Sequence, residues 1–422
     1  MSIKRYSKYK DSGMDFVSTI PLGWEIKPLK YATICNRDVL SENTNEDTEL
    51  NYIEIGSVEY CRGINNIQKI IFSNAPSRAR RIVHMGDTII STVRTYLKAI
   101  VYIEEKYDNY ICSTGFAVFT PKVGVDGIFL SYALLCHSFI SEVERHSVGV
   151  SYPAITSTAL ASLKVILPPI NMQKLIATYL DRHTAEIDGL ITSLGEQITM
   201  LKKYYQIIIH DAVTGRIKVT KTSGKTSAAN VKIKLKYVVQ LRTEIGHYTC
   251  DDQYIGLENV ESFTGRYIKT DSVYNDGVYC IVKKGDVLFS KLRPYLAKAM
   301  ICEFNGFVTN EFIVFKNFAG NKLFLLYYLL SDGFIKAVDA STYGVKMPRA
   351  SWDFIGNQEI ILPPIEEQAA IIAYINYRAT EIDKLIANTN SQIEKLKKYR
   401  QVIIHDAVTG KIKITEGSNN AN

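Results

Sequence analysis

Ile166-Leu167-Pro168-Pro169-Ile170 opens a segment that closes on His210-Asp211-Ala212-Val213-Thr214-Gly215, and the chain then says it again. The second copy opens Ile361-Leu362-Pro363-Pro364-Ile365 and closes His405-Asp406-Ala407-Val408-Thr409-Gly410. Pro363 lies 195 positions after Pro168, and His405 lies 195 positions after His210, so the copy is ungapped. Two copies are too few for a solenoid, which stacks three or more units to bury a continuous core. They point instead to an internal pseudo-two-fold repeat.

The repeated segment reads as a long helix. No proline falls between about Met172 and His210. Ile187, Leu190, Leu194, Ile198, Leu201, Tyr205 and Ile208 advance in steps of three and four with one slip. Ile382, Leu385, Thr389, Ile393, Leu396 and Ile403 repeat that stripe, the spacing of a coiled-coil seam. The Pro-Pro pairs prevent an earlier start. Gly215 and Gly410 stand where a left-handed C-terminal cap belongs. Lys202-Lys203 and Lys397-Lys398 lie toward the helix ends that favour cations. Two equal helices related by a two-fold axis perpendicular to them must run antiparallel. At about 40 residues each would be about 60 Å long, the span of roughly 18 base pairs of duplex DNA.

Upstream of each helix the repeat continues only in outline. Lys30-Tyr31 matches Lys236-Tyr237, Tyr52-Ile53 matches Tyr254-Ile255, Gly86-Asp87 matches Gly285-Asp286, and Gly149 and Pro153 match Gly344 and Pro348. Order is kept while spacing drifts, as insertions in surface loops produce. Short β-branched runs such as Asp87–Val93 and Asp286–Ser290 predict strands, and Phe129–Cys136 and Leu323–Leu330 predict short helices. The expected organisation is an α+β fold. A variable, mostly β domain (1–165) leads to a long helix with its capping segments (166–219) and a small polar linker (220–230). A second variable domain (231–360), a second helix segment (361–414) and a tail (415–422) follow, the two helices forming an antiparallel coiled coil.

Composition narrows the class. The 422 residues suffice for two or three domains, and the net charge of +7 favours an anionic partner. Seven scattered cysteines without a C-x-x-C pair suggest reduced thiols and neither zinc nor a disulfide framework. The polar start at Met1–Lys10 and the lack of a long apolar run predict a cytoplasmic protein without a membrane partner. Catalytic signatures do not recur in both halves. Both Pro-Pro pairs are followed by Ile, unlike the Asn/Asp-Pro-Pro-Tyr/Phe of base methylation. Ser223-Gly-Lys-Thr226 ends like a phosphate loop, but Val219 stands where its first glycine belongs. Glu104-Glu105-Lys106 lacks a second copy, and His210 and His405 read as helix-end packing.

Taken together, these residues resemble the specificity subunit of type I restriction-modification systems. The resemblance rests on Leu167-Pro-Pro-Ile-Asn-Met-Gln173 with Leu362-Pro-Pro-Ile-Glu-Glu-Gln368, and on Glu186-Ile-Asp188 with Glu381-Ile-Asp383. Tyr254–Asn259 and Gly285–Leu296 add to it, and the first half departs at Tyr52–Ser57 and at Thr95 for Pro294. It implies a non-catalytic chain with two target-recognition domains, each reading half of a bipartite site in double-stranded DNA. The paired helices would dock two methyltransferase (modification) subunits, and a motor-nuclease (restriction) subunit would join. No cofactor is expected on this chain, S-adenosylmethionine belonging to the methyltransferase. A coiled-coil adaptor that binds no DNA is the alternative reading.

The duplication also sorts the candidate DNA-binding residues. Two domains that read different sequences should share framework or phosphate contacts, which carry no sequence information. Ser91, Arg94 and Tyr96 match Ser290, Arg293 and Tyr295, with Lys98 and Lys298 one position out of register. These suit phosphate contact or loop bracing. Base readers should differ, as Thr92 does from Lys291, Ser151-Tyr152 from Lys346-Met347, and Ala154 from Arg349. Arg78, Arg80 and Arg81 form a basic run in the first half alone, fit for guanine or phosphate.

Overall fold

A computed structural model describes residues 5–219, 231–249, 252–270, 276–344 and 346–415. The expected linker, 220–230, lies outside the described residues, as does the tail beyond Thr415. The chain forms two compact units, Met1–Thr192 with Gln392–Asn422, and Ser193–Ser391. Each is described by itself.

Two helices of 44 residues, Ile170–Val213 and Ile365–Val408, contribute to both units. In each unit the opening half of one helix lies in the same core as the closing half of the other, as an antiparallel pair requires. In the first unit Ile176, Ala177, Leu180 and Ile187 share a core with Ile403, Ile404, Ala407 and Val408. In the second, Ile371, Ile372 and Ile375 share one with Ile209, Ala212 and Val213. Full burial of each Leu, Ile or Val side chain among them contributes about 2 kcal/mol.

The seam differs from expectation at one position per helix. Leu190 and Leu385 are 55% and 52% exposed. Ile191 and Ile386, one residue on, are partly buried in their place. The stripe through Leu180, Thr184, Ile187, Ile191, Leu194, Ile198, Leu201, Tyr205 and Ile208 then alternates steps of four and three without a slip. Of each adjacent apolar pair, Leu190-Ile191 and Leu385-Ile386, the isoleucine is the member that turns inward.

The two recognition domains share a topology. A four-stranded antiparallel sheet in the first runs Ile100–Tyr102, Thr88–Ser91, Phe116–Pro121, Thr33–Cys35. Its counterpart runs Ala299–Ile301, Val287–Ser290, Phe312–Phe318, Val239–Leu241. A second sheet in each domain contains one parallel pairing, Ile111–Ser113 with Glu49–Ile53 and Gly306–Val308 with Tyr254–Ile255. The first domain adds Gln68–Ile71 to that sheet, paired with Glu49–Ile53. The helix pair Gly127–Leu135 and His137–His146 recurs as Lys322–Leu330 and Asp332–Ala340.

The Leu-Pro-Pro-Ile-x-x-Gln motif has a physical purpose. Its glutamines, Gln173 and Gln368, are 2% and 1% exposed. Gln173 Nε2 donates to Pro168 O at 2.8 Å while Gln173 Oε1 accepts from Asp126 N at 2.9 Å. Gln368 repeats both bonds, to Pro363 O at 2.7 Å and from Asn321 N at 2.8 Å. Asp126 and Asn321 are the N-caps of the short helices. One buried amide therefore ties the long helix to its domain and satisfies backbone groups that would otherwise be orphaned. Tyr132 adds a second tie, its hydroxyl bonding Asp181 and Thr184, and Tyr327 bonds Asn376 at the equivalent place.

The helix ends are packed, as read from the His-Asp-Ala-Val-Thr-Gly repeat. Ala212 and Ala407 are fully buried, and Gly215 and Gly410 take φ +73° and +74°. His210 Nδ1 accepts from Gly333 N at 3.3 Å, and His405 Nδ1 sits 3.5 Å from Cys136 Sγ. The hairpin Tyr9–Met14 and Val17–Pro21 covers the end of the second helix, where Tyr9 donates its hydroxyl to Gly410 O at 2.9 Å. A Cβ on Gly410 would come within 2.5 Å of Pro21, whereas one on Gly215 would meet nothing within 4 Å.

That contrast predicts unequal costs for one substitution. Gly215→Ala should destabilise by about 1 kcal/mol, the price of a left-handed residue with a Cβ, and Gly410→Ala by roughly 2–4 kcal/mol through added overpacking. Urea unfolding midpoints of the two variants measure the difference.

Burial holds the His405 imidazole below its ordinary value of 6.5, with Lys411 and His137 acting in the same sense and Asp406 against. The unfolded chain therefore binds this proton more readily, so stability is whole above pH about 6.5 and falls as pH drops below it. A His405→Asn variant should lose that part of the slope in unfolding followed from pH 7.5 to 5.5.

Candidate nucleic-acid interface

After each of the strands Thr88–Ser91 and Val287–Ser290 the chain enters a turn with uncommon backbone geometry. Thr95–Leu97 forms a 3-10 turn between Arg94 at φ 51° and Lys98 at φ 50°. Pro294–Leu296 does the same between Arg293 at φ 48° and Ala297 at φ 46°. Left-handed non-glycine residues cost about 1 kcal/mol each and collect at functional sites. The packing around the turns holds them. Ser91 and Ser290 are 3% and 1% exposed, and their hydroxyls donate to Val93 O and Leu292 O. Thr95 N donates to Pro153 O at 3.3 Å and Arg293 N to Pro348 O at 2.8 Å, which binds each turn to the loop that follows Gly149 or Gly344.

These two loops bring some of the candidate residues together. In the first unit Arg94 and Ser151 are exposed, with Tyr96 and Tyr152 at 52% and 67%, and the Arg94 guanidinium lies 5.3 Å from the Tyr152 ring centre. In the second, Tyr295 is 45% exposed, Lys346 is exposed, and Arg293 Nη2 donates to Lys346 O at 3.3 Å. Lys291 and Arg349 lie half-buried beside them.

Other candidates point inward. Ser91 and Ser290 are enclosed braces of their loops and present no hydroxyl to a ligand. Thr92 was expected to read bases but is 7% exposed, with Oγ1 donating to Gly115 O at 2.9 Å. Lys98 pairs with Glu144 at 3.3 Å, and Lys298 Nζ donates to Leu257 O at 2.6 Å. Burial lowers the Lys298 pKa. Both lysines brace the domain, Lys98 through the Glu144 carboxylate and Lys298 through a backbone carbonyl.

The basic run is engaged too. Arg78 pairs with Glu54, and the Arg80 guanidinium stacks 5.1 Å from the Phe72 ring. Arg81 is half-buried, and its Nε is enclosed without a hydrogen-bond partner among the described residues. Thr114 N donates to Arg78 O at 2.7 Å, which joins the run to the Gly115 end of the loop pair.

Glu311 escaped the sequence reading. It pairs with Arg349 through Nη2–Oε1 at 2.7 Å and Nε–Oε2 at 3.1 Å. Its counterpart is Gly115, and the available signal was its place immediately before the shared Phe116 and Phe312. No group of three His, Cys, Asp or Glu placed to hold a metal occurs among the described residues, and no described helix is long and apolar enough to cross a membrane.

Residues 21–200 and 251–397 match the model of the type I restriction modification DNA specificity domain. The chain belongs to that family. It is similar to the type I restriction enzyme MjaVIII specificity subunit of Methanocaldococcus jannaschii, 24% identical over 330 residues that span 69% of this chain and 71% of the relative. The EcoKI specificity subunit of Escherichia coli (strain K12) is 20% identical over 434 residues, 93% of this chain and 90% of the relative. A solved chain from work on complex assembly and conformational transition of the type I R-M system shares the fold at a TM-score of 0.61. It is 21% identical, covering 93% of this chain and 99% of that one. Two family domains in one chain agree with the duplicated sheet frame. As a member of the family, the chain is a DNA specificity subunit.

The strained turns generate a test. Arg94→Gly relieves the left-handed backbone and should leave stability within about 1 kcal/mol of the original. It should nonetheless weaken DNA binding roughly tenfold by removing a cation from the loop. Thermal unfolding and gel-shift titration on the same preparation measure both.

Proposed function

We propose that each unit reads one half of a bipartite duplex DNA site and that the chain performs no chemistry itself. The supporting observation is the pairing of one sheet topology with two different loop surfaces. Both domains hold the same turn between two left-handed residues, and around it one presents Ser151 and Tyr152 while the other presents Lys346 and Met347. A shared frame sets register on the backbone, and unshared side chains read base edges.

Docking follows from a second repeated surface. The helix segments of the first unit expose Leu190, Tyr399 and Val402 at 55%, 56% and 53%. Those of the second expose Leu385, Tyr204 and Ile207, their equivalents, at 52%, 44% and 54%. Large apolar side chains repeated on a helix surface mark a partner interface. One set per unit fits two identical methyltransferase subunits, which would bring S-adenosylmethionine, and a motor-nuclease subunit would join that complex.

Assembly with the methyltransferase tests the reading. Native mass spectrometry should show two partner copies, falling to one with Leu190→Glu or with Leu385→Glu and to none with both. Duplex affinity of the intact complex should fall steeply with salt, by about 0.9 log unit per log unit of salt for each phosphate neutralised. Salt-insensitive or absent binding would instead favour an adaptor. Loss of both partners from a single substitution would remove the one-per-unit docking.

A further inference from the structure

The loop pair is the same hydrogen-bonded frame in both units, and its three central positions carry opposite chemistry. Thr92 N donates to Gly115 O at 2.8 Å, and Ile155 N to Thr92 O at 2.8 Å. Lys291 N donates to Glu311 O at 2.9 Å, and Ala350 N to Lys291 O at 2.9 Å. Isolated bridges join Val93 and Val148 to Ala154 in one unit, and Leu292 and Tyr343 to Arg349 in the other. Thr92, Gly115 and Ala154 therefore occupy the places of Lys291, Glu311 and Arg349. A Cβ on Gly115 would come within 2.5 Å of Ile55, so the first unit closes the space that Glu311 fills in the second.

Glu311 and Arg349 meet fork to fork, through Nε and Nη2 of the arginine, with side chains 24% and 39% exposed. Arg349 and Lys291 both hold the Glu311 carboxyl below its ordinary pKa, Arg349 foremost, so it stays an acceptor at neutral pH. A guanidinium has five N–H donors. The carboxylate takes the Nε edge, and the outer edge, Nη1 with the second Nη2 hydrogen, has no hydrogen-bond partner among the described residues. That edge matches the N7 and O6 acceptors of guanine in the major groove. A carboxylate brace also removes rotamer freedom that a lone arginine would lose on binding.

We propose that Arg349, held by Glu311, reads a guanine in the half-site of the second domain, and that the first domain makes no such contact at the equivalent place. The inference rests on the DNA-reading function. Glu311 is then a positioning residue and Arg349 the base contact.

The test uses the intact complex with its methyltransferase and duplexes carrying the site mapped from methylated host DNA. Each guanine in turn is replaced by 7-deazaguanine, which lacks the N7 acceptor. With the unaltered protein, one guanine in one half-site should cost roughly 10- to 100-fold in affinity when replaced. Arg349→Ala should be equally weak on both forms of that duplex, leaving discrimination in the other half-site intact. Arg349→Lys should not restore discrimination, because an ammonium lacks the fork. Glu311→Gln should reduce the guanine preference while the salt slope stays unchanged.

Three outcomes would overturn the proposal. One is that no guanine in either half-site responds to replacement, an outcome that needs no variant and so survives any folding defect. Another is an Arg349→Ala complex that weakens on every duplex alike with a salt slope smaller by about one, the mark of a phosphate contact. The third is a loss of all sequence preference in the unaltered complex, which would remove the DNA-reading function along with it.

Discussion

Each domain is completed by a helix end that arrives from the other half of the chain. The last turns of the second long helix, with Ile403, Ile404, Ala407 and Val408, lie in the core of the first domain beside Trp24, Leu29 and Phe139. The last turns of the first helix, with Ile209, Ala212 and Val213, lie in the core of the second beside Phe289 and Phe334. The rest of the architecture depends on this exchange. It explains why the helix copy is ungapped, since an insertion of one residue would rotate the closing turns by about 100° out of their cores. The buried glutamines set the opposite end of each helix with equal strictness, because a displaced amide would strand backbone groups away from water.

Between those fixed points the domains have been free to diverge. Their sheets keep order and pairing while loop lengths drift, and the divergence collects on the loops beside the left-handed turns. Strain is kept at shared positions and chemistry is varied at unshared ones. The helix segments show the same division between the two units. Arg400, 8% exposed, lies 3.1 Å from Asp188, whereas the equivalent Asp383 takes Arg266 from the recognition domain at 2.6 Å. Tyr205 stands where Arg400 does. The carboxylate of the repeated Glu-Ile-Asp is thus neutralised from different directions in the two units.

Period and repetition made the helices legible, because a residue every three or four positions is visible in one dimension. The seam was misplaced only where Leu190-Ile191 and Leu385-Ile386 offered two adjacent apolar side chains, and rotation about the helix, which the letters do not carry, decided between them. The site was less legible. Comparison of the halves singled out Arg94, Lys291 and Arg349, which the fold leaves at least partly exposed on the loop pair, but it could not tell that Thr92 is enclosed or that Glu144 captures Lys98. Those facts depend on which way a side chain leaves a turn. Glu311 was invisible because a glycine in the other copy suggests a loop, and its role appears only once strand pairing sets it beside Arg349.

The exchange of helix ends has a consequence for synthesis. The first domain leaves the ribosome early, yet Ile403, Ile404, Ala407, Val408 and Ile414, which share its core, are made only after the whole second unit. Roughly 200 residues separate Thr192 from Gln392, which at 5–20 residues per second is about 10–40 s of translation. During that interval an apolar cleft waits open for a segment not yet made. A chain that stops before residue 403 therefore leaves Trp24, Leu29 and Phe139 without the helix end that shares their core.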